Sequence, residues 1–305
     1  MVRLCAQPCL RRGAANSTRG ACAPRKRISH CVTNCVGSVM FPLQTKSLPP
    51  NVDALRAALE EGLRQVIVPA RQMVSVEDKN YPNLAALRLT LDDAQASERA
   101  RRPARPIGAI EPGLQVEDFQ ISGRPISIQG AKIEFACTGR EVRIDQARDE
   151  SGNVLLLVHD AASGQVEVAV RPTDLEALIL AGAKAQAAKH GVNVESVRIE
   201  MNARSERSID VVVHVAAKKL FLNATIRISG SLAIDEHLNA KLSSLECTGE
   251  GTLGTIACGF IAPHLVRFNG RNFSLMALPL GEMKLRDLRI AADDKLRVTA
   301  QFGHA

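Results

Sequence analysis

Two periods of apolar residues run through this sequence, one typical of helices and the other of strands. Apolar positions recur with helical spacing over 51–66, behind a capping Asn51 or Asp53. A second helix follows Thr173, since Thr173 and Glu176 match a capping box that satisfies two backbone N–H groups. A third helix is predicted over 253–267. On the second helix the side chains of the predicted buried stripe change from large to small along the helix. The stripe consists of Leu175, Leu178, Ile179, Gly182 and Ala185.

Alternation of apolar and polar residues predicts strands over most of the remaining chain. The segment 92–112 is the exception, because it is polar and broken by prolines, and we predict a long exposed loop there. A strand at 87–91 precedes it, and strands over 114–158 follow, separated by turn signals at 122–123, 138–139 and 151–153. Later strands are predicted at 166–170, 197–201, 209–215, 220–228, 232–245, 285–290 and 296–302. Connections this short favour antiparallel hairpins, so the expected fold class is α+β.

Charge is uneven along the chain and distinguishes a leader from a body. Residues 1–39 carry seven basic and no acidic side chains, and they hold five of the eight cysteines. A basic, serine-containing, acid-free segment is typical of an organelle transit peptide, and the alternative is a false start ahead of Met40. We therefore predict a disordered leader over 1–39 and a single domain over 50–303, with halves at 50–160 and 164–303.

The body of the chain is electrically neutral, with 32 basic and 32 acidic residues once the leader is set aside. This balance excludes nucleic acid as an expected partner, because phosphate binding needs concentrated Lys and Arg. The three cysteines of the body, Cys137, Cys247 and Cys258, lie among apolar residues, so we expect buried thiols in a reducing compartment. The sequence has no run of 18 apolar residues, and no membrane-spanning helix is expected.

Few residues of the body suggest chemistry. The glycines of "GEGTLG" (Gly249, Gly251 and Gly254) match part of a dinucleotide-binding loop, but the strands around them are predicted antiparallel and no acid follows at the required distance. A plain glycine-rich turn is therefore favoured. His159 and Asp160 are expected to end a strand, since adjacent strand residues point to opposite faces. The histidines are spread singly, so we expect no metal site, no cofactor and no catalysis.

From Gly164 onward the order of these patterns resembles a known family. "VEVAVRPTDLEALI" sets an alternating strand before a Thr-capped helix, "GTIACGFIAPHLVRFNGRNFSL" follows, and "LPLGEMKLRDLRIAADDKLRVTAQF" ends with two strands. This order resembles the bacterial and plastid LmeA-like family, long described as a domain of unknown function. The resemblance covers about residues 50–303 and is strongest over 164–302. It implies a TULIP-like tubular lipid-binding fold, in which a long curved antiparallel sheet wraps around helices, and it implies phospholipid binding.

The same resemblance, taken with the basic leader, implies a chloroplast location. The alternative, if the leader is a false start, is the cytoplasm or membrane periphery of a bacterium. Two further groups of basic side chains are expected mainly to face solvent, and the functional alternative for them is peripheral contact with the anionic headgroups of a membrane. The candidates for this contact are Lys218 and Lys219 in a predicted hairpin and four arginines in the predicted loop, Arg99, Arg101, Arg102 and Arg105.

Aliphatic wall residues form the predicted lipid site. A curved sheet encloses either a hollow or a packed core, and periodicity does not distinguish the two. An acyl chain in a hollow gains about 0.8 kcal/mol per buried methylene. We expect non-catalytic binding or transfer of a phospholipid or other fatty-acyl lipid; the alternatives are a structural or protein-interaction module with a filled core and, third, a nucleotide-dependent enzyme. The predicted walls are Leu175, Ile179, Val197, Ile199, Met201, Val211, Val213, Leu222, Ile226 and Ile228.

Overall fold

Strands dominate the part of the chain that the computed structural model describes, residues 40–97, 105–188, 191–219, 222–277 and 282–304. The predicted leader 1–39 lies outside the described residues. Three helices are present in the described part, α1 Val52–Arg64, α2 Pro172–Ala187 and α3 Gly251–Phe268. The strands there are β1 Met40–Pro42, β2 Ile67–Val68, β3 Val74–Asn80, β4 Asn83–Thr90, β5 Gln95–Ala96, β6 Ile107–Ile128, β7 Ala131–Arg148, β8 Val154–Asp160, β9 Ser163–Val170, β10 Asn193–Ser205, β11 Ser208–Lys219, β12 Leu222–Ile234, β13 Asn239–Glu250, β14 Asn272–Ser274, β15 Lys284–Ala292 and β16 Leu296–Gly303.

The described strands form two sheets. The large sheet has the order β15-β16-β9-β7-β6-β4-β3, with β8 paired to β7 and β1, and β5 paired to β6 and β2. The small sheet has the order β10-β11-β12-β13-β14, and its pairs are antiparallel. The α+β fold class is confirmed. The expected single sheet is replaced by two, because β10 follows α2 and pairs with β11 instead of with a strand of the large sheet.

The large sheet is mixed, which corrects the expectation of antiparallel pairing throughout. Strand β4 runs parallel to β6, with Leu87 opposite Phe119, and β5 also pairs with β6 in parallel. Parallel neighbours need a crossover connection of a dozen or more residues. The chain provides one between β4 and β6, in the segment that looked like an exposed loop. That loop prediction is wrong at both ends, since β5 lies inside it and β6 begins within it, with Ile107 opposite Arg148.

Helix α1 forms as predicted and organises the largest core. The side chain of Asn51 accepts a hydrogen bond from the N–H of Ala54 at 2.9 Å, which caps the first turn. Leu55, Leu59 and Leu63 are buried on one stripe of the helix, as the helical spacing predicts. They pack with buried residues of β3, β4, β6, β7 and β8 in one cluster on the large sheet. This core contains none of the predicted lipid-wall residues, which all belong to α2 and the small sheet.

Two of the predicted turns lie inside long strands. Residues 122–123 are within β6 and residues 138–139 are within β7, while the two strands reverse at Gln129 and Gly130, both at positive φ. At Gly139 an added Cβ would lie 2.7 Å from a methyl carbon of Val142, so this glycine relieves crowding instead of turning the chain. The strands predicted at 220–228 and 232–245 also divide at another place: β12 continues through residues 229–230, and its reversal comes at 235–238. The turn predicted at 151–153 is confirmed, where the Asp149 carboxylate accepts backbone hydrogen bonds.

Candidate functional site

Most of the predicted wall residues lie on three adjacent strands and share one face of the small sheet. Ile199 of β10 is opposite Val213 of β11, which in turn is opposite Ile228 of β12. Residues paired directly across neighbouring strands point to the same side of a sheet. The surface that they form with their neighbours of the same parity is called the apolar face here, and it consists of Val197, Ile199, Met201, Val211, Val213, Val215, Ile226 and Ile228.

The other face of the small sheet is polar. Arg198, Glu200 and Arg227 are exposed there, and Glu200 lies 3.6 Å from the Nε2 atom of His214 across the β10–β11 pair. The alternation along each strand thus separates a water-facing side from an apolar side. Helices α2 and α3 cover the apolar side of the sheet, so any ligand of this face must be apolar and must fit beside them.

Helix α2 packs on β10 through a stripe that differs from the predicted one. Leu175, Leu180, Ala183 and Ala187 pack against a cluster that contains Val194, Val197, Ile199 and Ala217. Gly182 has nothing within 4 Å of an added Cβ, and Ala185 is exposed, so the small residues do not serve a close helix–sheet contact. Ile179, a predicted wall residue, is 36% exposed on α2. The rotation of the helix about its axis was not encoded in its apolar spacing.

The orientation of α2 is fixed by two carboxylates. Glu176 accepts the N–H of Ile199 on β10 at 2.8 Å, instead of reaching back to Thr173. Asp174 is buried and accepts the N–H of Lys132 on β7 at 3.0 Å and the guanidinium of Arg171 at 2.6 Å. The hydrogen bond from Arg171 keeps the pKa of Asp174 below its usual value. The helix therefore bridges the two sheets.

The predicted capping box is wrong. The N-cap of α2 is Arg171, without a side-chain cap, and Pro172 occupies the first turn. Proline is favoured at this position because its missing N–H would have had no helical partner. Thr173 is exposed one residue inside the helix. The sequence Thr-x-x-Glu matched the motif, but tertiary hydrogen bonding to β10 uses the glutamate.

Burial divides the predicted walls into a packed group and a more open group. Val197, Ile199 and Ile226 are buried. Leu175 of α2 is half-buried, and Leu222 begins β12 with a side chain that lies outside the described part of the structure. Four further residues of the apolar face are half-buried, Met201, Val211, Val213 and Ile228.

Helix α3 packs on β12 and β13, on the same side of the small sheet. An added Cβ at Gly249 of β13 would lie 2.1 Å from the carbonyl oxygen of Gly254 in α3, so the strand and the helix touch through backbone atoms. A disulfide bond joins Cys247 of β13 to Cys258 of α3. The expectation of buried thiols is therefore wrong for these two cysteines, which lie close because the helix folds back over its own strand. Disulfides are typical of oxidising compartments.

The glycines of "GEGTLG" thus have a packing role. Gly251 begins α3 with φ of +76°, a conformation that glycine adopts without strain, and Gly249 and Gly254 form the close contact. Strand β13 belongs to an antiparallel sheet, as predicted, and lacks the parallel βαβ setting that a dinucleotide loop requires. The glycine-rich turn between strand and helix is confirmed.

Strand β15 of the large sheet covers the far end of the apolar face. Leu285 and Ile290 of β15 are buried in a cluster with Ile209 and Ile234 of the small sheet. Met201 and Val211 pack against this cluster. The sequence indicates β15 as an alternating strand but gives no sign of this partner, because the two segments are far apart in the chain. The contact closes one end of the apolar face.

Polar residues meet in a separate cluster around His159 on the large sheet. Its Nδ1 atom lies 3.0 Å from Oδ2 of Asp145, and its Nε2 atom lies 3.4 Å from Oε1 of Glu282. Arg143 binds the other oxygen of Glu282 at 2.8 Å, and this hydrogen bond, with that of His159, keeps the pKa of Glu282 below its usual value. Asp160 points the opposite way, toward His304 at 3.3 Å, as predicted for a strand end. Both nitrogens of His159 face carboxylates, an arrangement that suits a cross-link between strands.

Two clefts open on the large sheet. The larger, of about 540 Å³, is lined mainly by polar side chains that include Lys79, Asn83, Glu117 and Arg143. The second, of about 370 Å³, lies between residues such as Arg124, Glu134 and Lys295. Neither cleft contains any of the predicted wall residues. Their polar lining is unsuited to an acyl chain.

Comparisons of the sequence with protein-family models and with curated proteins, and of the fold with solved structures, find no significant match. The resemblance to the LmeA-like family therefore stays a prediction. Over the described residues, His, Cys, Asp and Glu nowhere gather in a group of three that could hold a metal ion. The helices of the described part are too short or too polar to cross a membrane. Of the basic residues considered for headgroup contact, Lys218 and Arg105 are exposed. The side chain of Lys219 and the residues Arg99, Arg101 and Arg102 lie outside the described part.

Cys137 is the free thiol of the described part, and we expect it to be unreactive in the native protein. It is buried in β7, and burial raises its pKa to about 11. At pH 8 the thiolate fraction is then roughly two hundredfold lower than for an exposed cysteine with a pKa of about 8.5. Alkylation with iodoacetamide, followed by peptide mass spectrometry, measures this directly. Labelling of Cys137 in the folded protein as fast as in urea would contradict the burial.

Proposed function

We propose that this protein binds an acyl-chain lipid, such as a phospholipid, without catalysing a reaction on it. The site we propose is the middle of the apolar face, between helices α2 and α3. The finer architecture in this proposal is TULIP-like, with the small sheet and its two helices as the lipid-binding half. The proposed location is the chloroplast, on the basis of the basic leader.

One observation carries the proposal. The main contacts of α2 on the small sheet are with β10, and those of α3 are with β12 and β13, so the two helices lie on either side of β11. Val213 of β11 and its partner Ile228 of β12 are only half-buried between them. A sheet face that is wholly aliphatic and incompletely covered by its own helices favours a hydrocarbon guest.

The chemistry of the face fits a lipid tail better than a polar ligand. Its eight residues are aliphatic or methionine and offer no side-chain hydrogen-bond donor. A saturated chain needs no donor. About ten methylenes buried at about 0.8 kcal/mol each contribute about 8 kcal/mol, which exceeds the lower estimates of the cost of association, about 4 kcal/mol. Methionine, present here as Met201, adapts its shape to irregular apolar guests.

Filling the site should remove the lipid. We expect Val213→Trp to lower the amount of co-purified lipid at least about tenfold, because the indole displaces two or more methylenes from the face. The measurement is organic extraction followed by lipid mass spectrometry, with native mass spectrometry of the intact complex. Val212→Trp is the matched control, since Val212 is the neighbouring half-buried valine on the polar side of the same strand.

The outcomes separate lipid binding from its main alternative. A protein that carries no lipid after purification under mild conditions, and takes up none from fluorescent fatty-acid probes, is a structural or protein-interaction module with a filled core. The burial of Val197, Ile199 and Ile226 supports this alternative, because these side chains already fill part of the space beside the sheet. Equal lipid content in the two tryptophan variants would place any bound lipid elsewhere on the protein.

A further inference from the structure

Helix α3 exposes apolar side chains on the side that faces away from the small sheet. Gly254, Cys258, Ile261 and Leu265 recur at helical spacing on the buried side. The opposite stripe contains Ile256, Phe260, Pro263 and Arg267, and all four are exposed. Phe260 is 75% exposed, the largest exposed fraction among the large apolar side chains of the described residues.

The chain after α3 extends this surface. The rings of Phe268 and Phe273 stack with their centroids 6.5 Å apart, and both are partly exposed. Six of the eleven large apolar side chains that are exposed in the described residues fall within 256–276. Scattered exposed apolar residues are ordinary, but a contiguous patch marks an interaction surface. We call it the α3 patch, and it consists of Ile256, Phe260, Val266, Phe268, Phe273 and Met276.

The charges around the α3 patch indicate its partner. The sequence contains no acidic residue between Glu250 and Glu282. Arg267 ends the exposed stripe of α3 and Arg271 follows it, and neither guanidinium has a carboxylate partner among the described residues. A second copy of the same patch would offer these arginines no opposite charge. An anionic bilayer offers both hydrocarbon for the apolar stripe and phosphate for the arginines.

We propose that the α3 patch docks the protein on the surface of an anionic lipid bilayer, with α3 lying in the plane of the interface. Helices that lie in this plane place apolar side chains below the headgroups and basic ones among them. The disulfide and the close contact of Gly249 with Gly254 hold α3 rigidly, so docking costs little ordering of the chain. The inference goes beyond the proposed lipid site and does not require that site to hold a lipid.

The test is flotation of the full chain with vesicles of phosphatidylcholine alone or in equal parts with phosphatidylglycerol. We expect binding to the mixed vesicles, and we expect Phe260→Glu and Ile256→Glu each to weaken it about tenfold or more. The matched control is Ile107→Glu, because Ile107 on β6 is 51% exposed and Ile256 is 52% exposed. The variant Arg267→Gln should weaken binding to the mixed vesicles about fivefold and leave binding to neutral vesicles unchanged.

Three results would overturn the docking proposal: no binding of the wild-type chain to either vesicle, equal loss in the Ile107 control and the α3 variants, or a dimer in solution that Phe260→Glu dissociates. In the last case the patch belongs to a second copy. Failure of the lipid site is distinguishable, because Val213→Trp should change co-purified lipid and leave vesicle flotation unchanged. Circular dichroism and melting temperature confirm that each variant is folded.

Discussion

Replacing both Cys247 and Cys258 by serine should lower the free energy of unfolding by about 3 kcal/mol. The disulfide closes a short loop, with a sequence separation of 11 residues, and its removal restores conformational entropy to the unfolded chain. For a domain of this size a change of about 3 kcal/mol lowers the melting temperature by roughly 6 °C. Any change in the folded structure should be confined to α3 and β13, because the core of the large sheet contains neither Cys247 nor Cys258.

Differential scanning calorimetry with and without reductant measures the effect. The wild-type protein should lose the same stability in reductant, and the double serine variant should not respond to it. Cys137→Ala is the control, since Cys137 forms no disulfide and its variant should keep the full response to reductant. A melting temperature of the wild type that is unchanged by reductant would show that Cys247 and Cys258 are free thiols in solution.

Valine at position 249 should destabilise the protein by about 3 kcal/mol and displace α3. The new Cβ would lie 2.1 Å from the carbonyl oxygen of Gly254 and 2.8 Å from the amide nitrogen of Thr255. Both are backbone atoms, which cannot move aside as a flexible side chain does, so the helix must shift. Overpacking in a close contact costs typically 1–3 kcal/mol, and a backbone clash belongs at the upper end.

The matched control is Gly259→Val, the same change at an exposed position of α3 where an added Cβ has no neighbour within 4 Å. Urea unfolding compares the stabilities, and hydrogen exchange of residues 251–268 reports whether the helix has moved. We expect faster exchange in Gly249→Val and wild-type exchange in the control. Equal stability of the two variants would mean that β13 and α3 are not in backbone contact.

The disulfide and the Gly249 contact both hold helix α3, which takes part in both proposed sites. Its buried side borders the apolar face, where we propose an acyl chain, and its outer side carries the α3 patch. A helix attached to its strand by a disulfide and a glycine contact keeps both surfaces in a fixed relation.

Local patterns predicted the type of most elements. Helix α1 followed from the stripe of Leu55, Leu59 and Leu63 and from the cap at Asn51, because capping and helical spacing depend on residues within two turns. The alternating strands of the small sheet followed for the same reason, and the register places Ile199, Val213 and Ile228 on one face. Seven of the ten predicted wall residues are together on that face.

Other features of the site were not predictable from local patterns. The packed stripe of α2 depends on the hydrogen bond from Ile199 to Glu176, which joins residues on different elements. The glycines at 123 and 139 resemble turn residues in sequence, yet each lies in a strand beside a crowding side chain. The α3 patch was missed because an apolar helix is ordinarily interpreted as buried. The exposure of Phe260 in the structure shows that one side of this apolar helix faces solvent.

The sequence by itself determined the α+β class, the three helices, the alternation that gives the small sheet one apolar face, and the neutral charge of the body. Each of these depends on residues close together in the chain or on composition. The tertiary structure decided the division into two sheets, the parallel pairing of β4 with β6, the disulfide and the side of α3 that faces solvent. These depend on contacts between distant segments, whose geometry is fixed only when strands and helices pack.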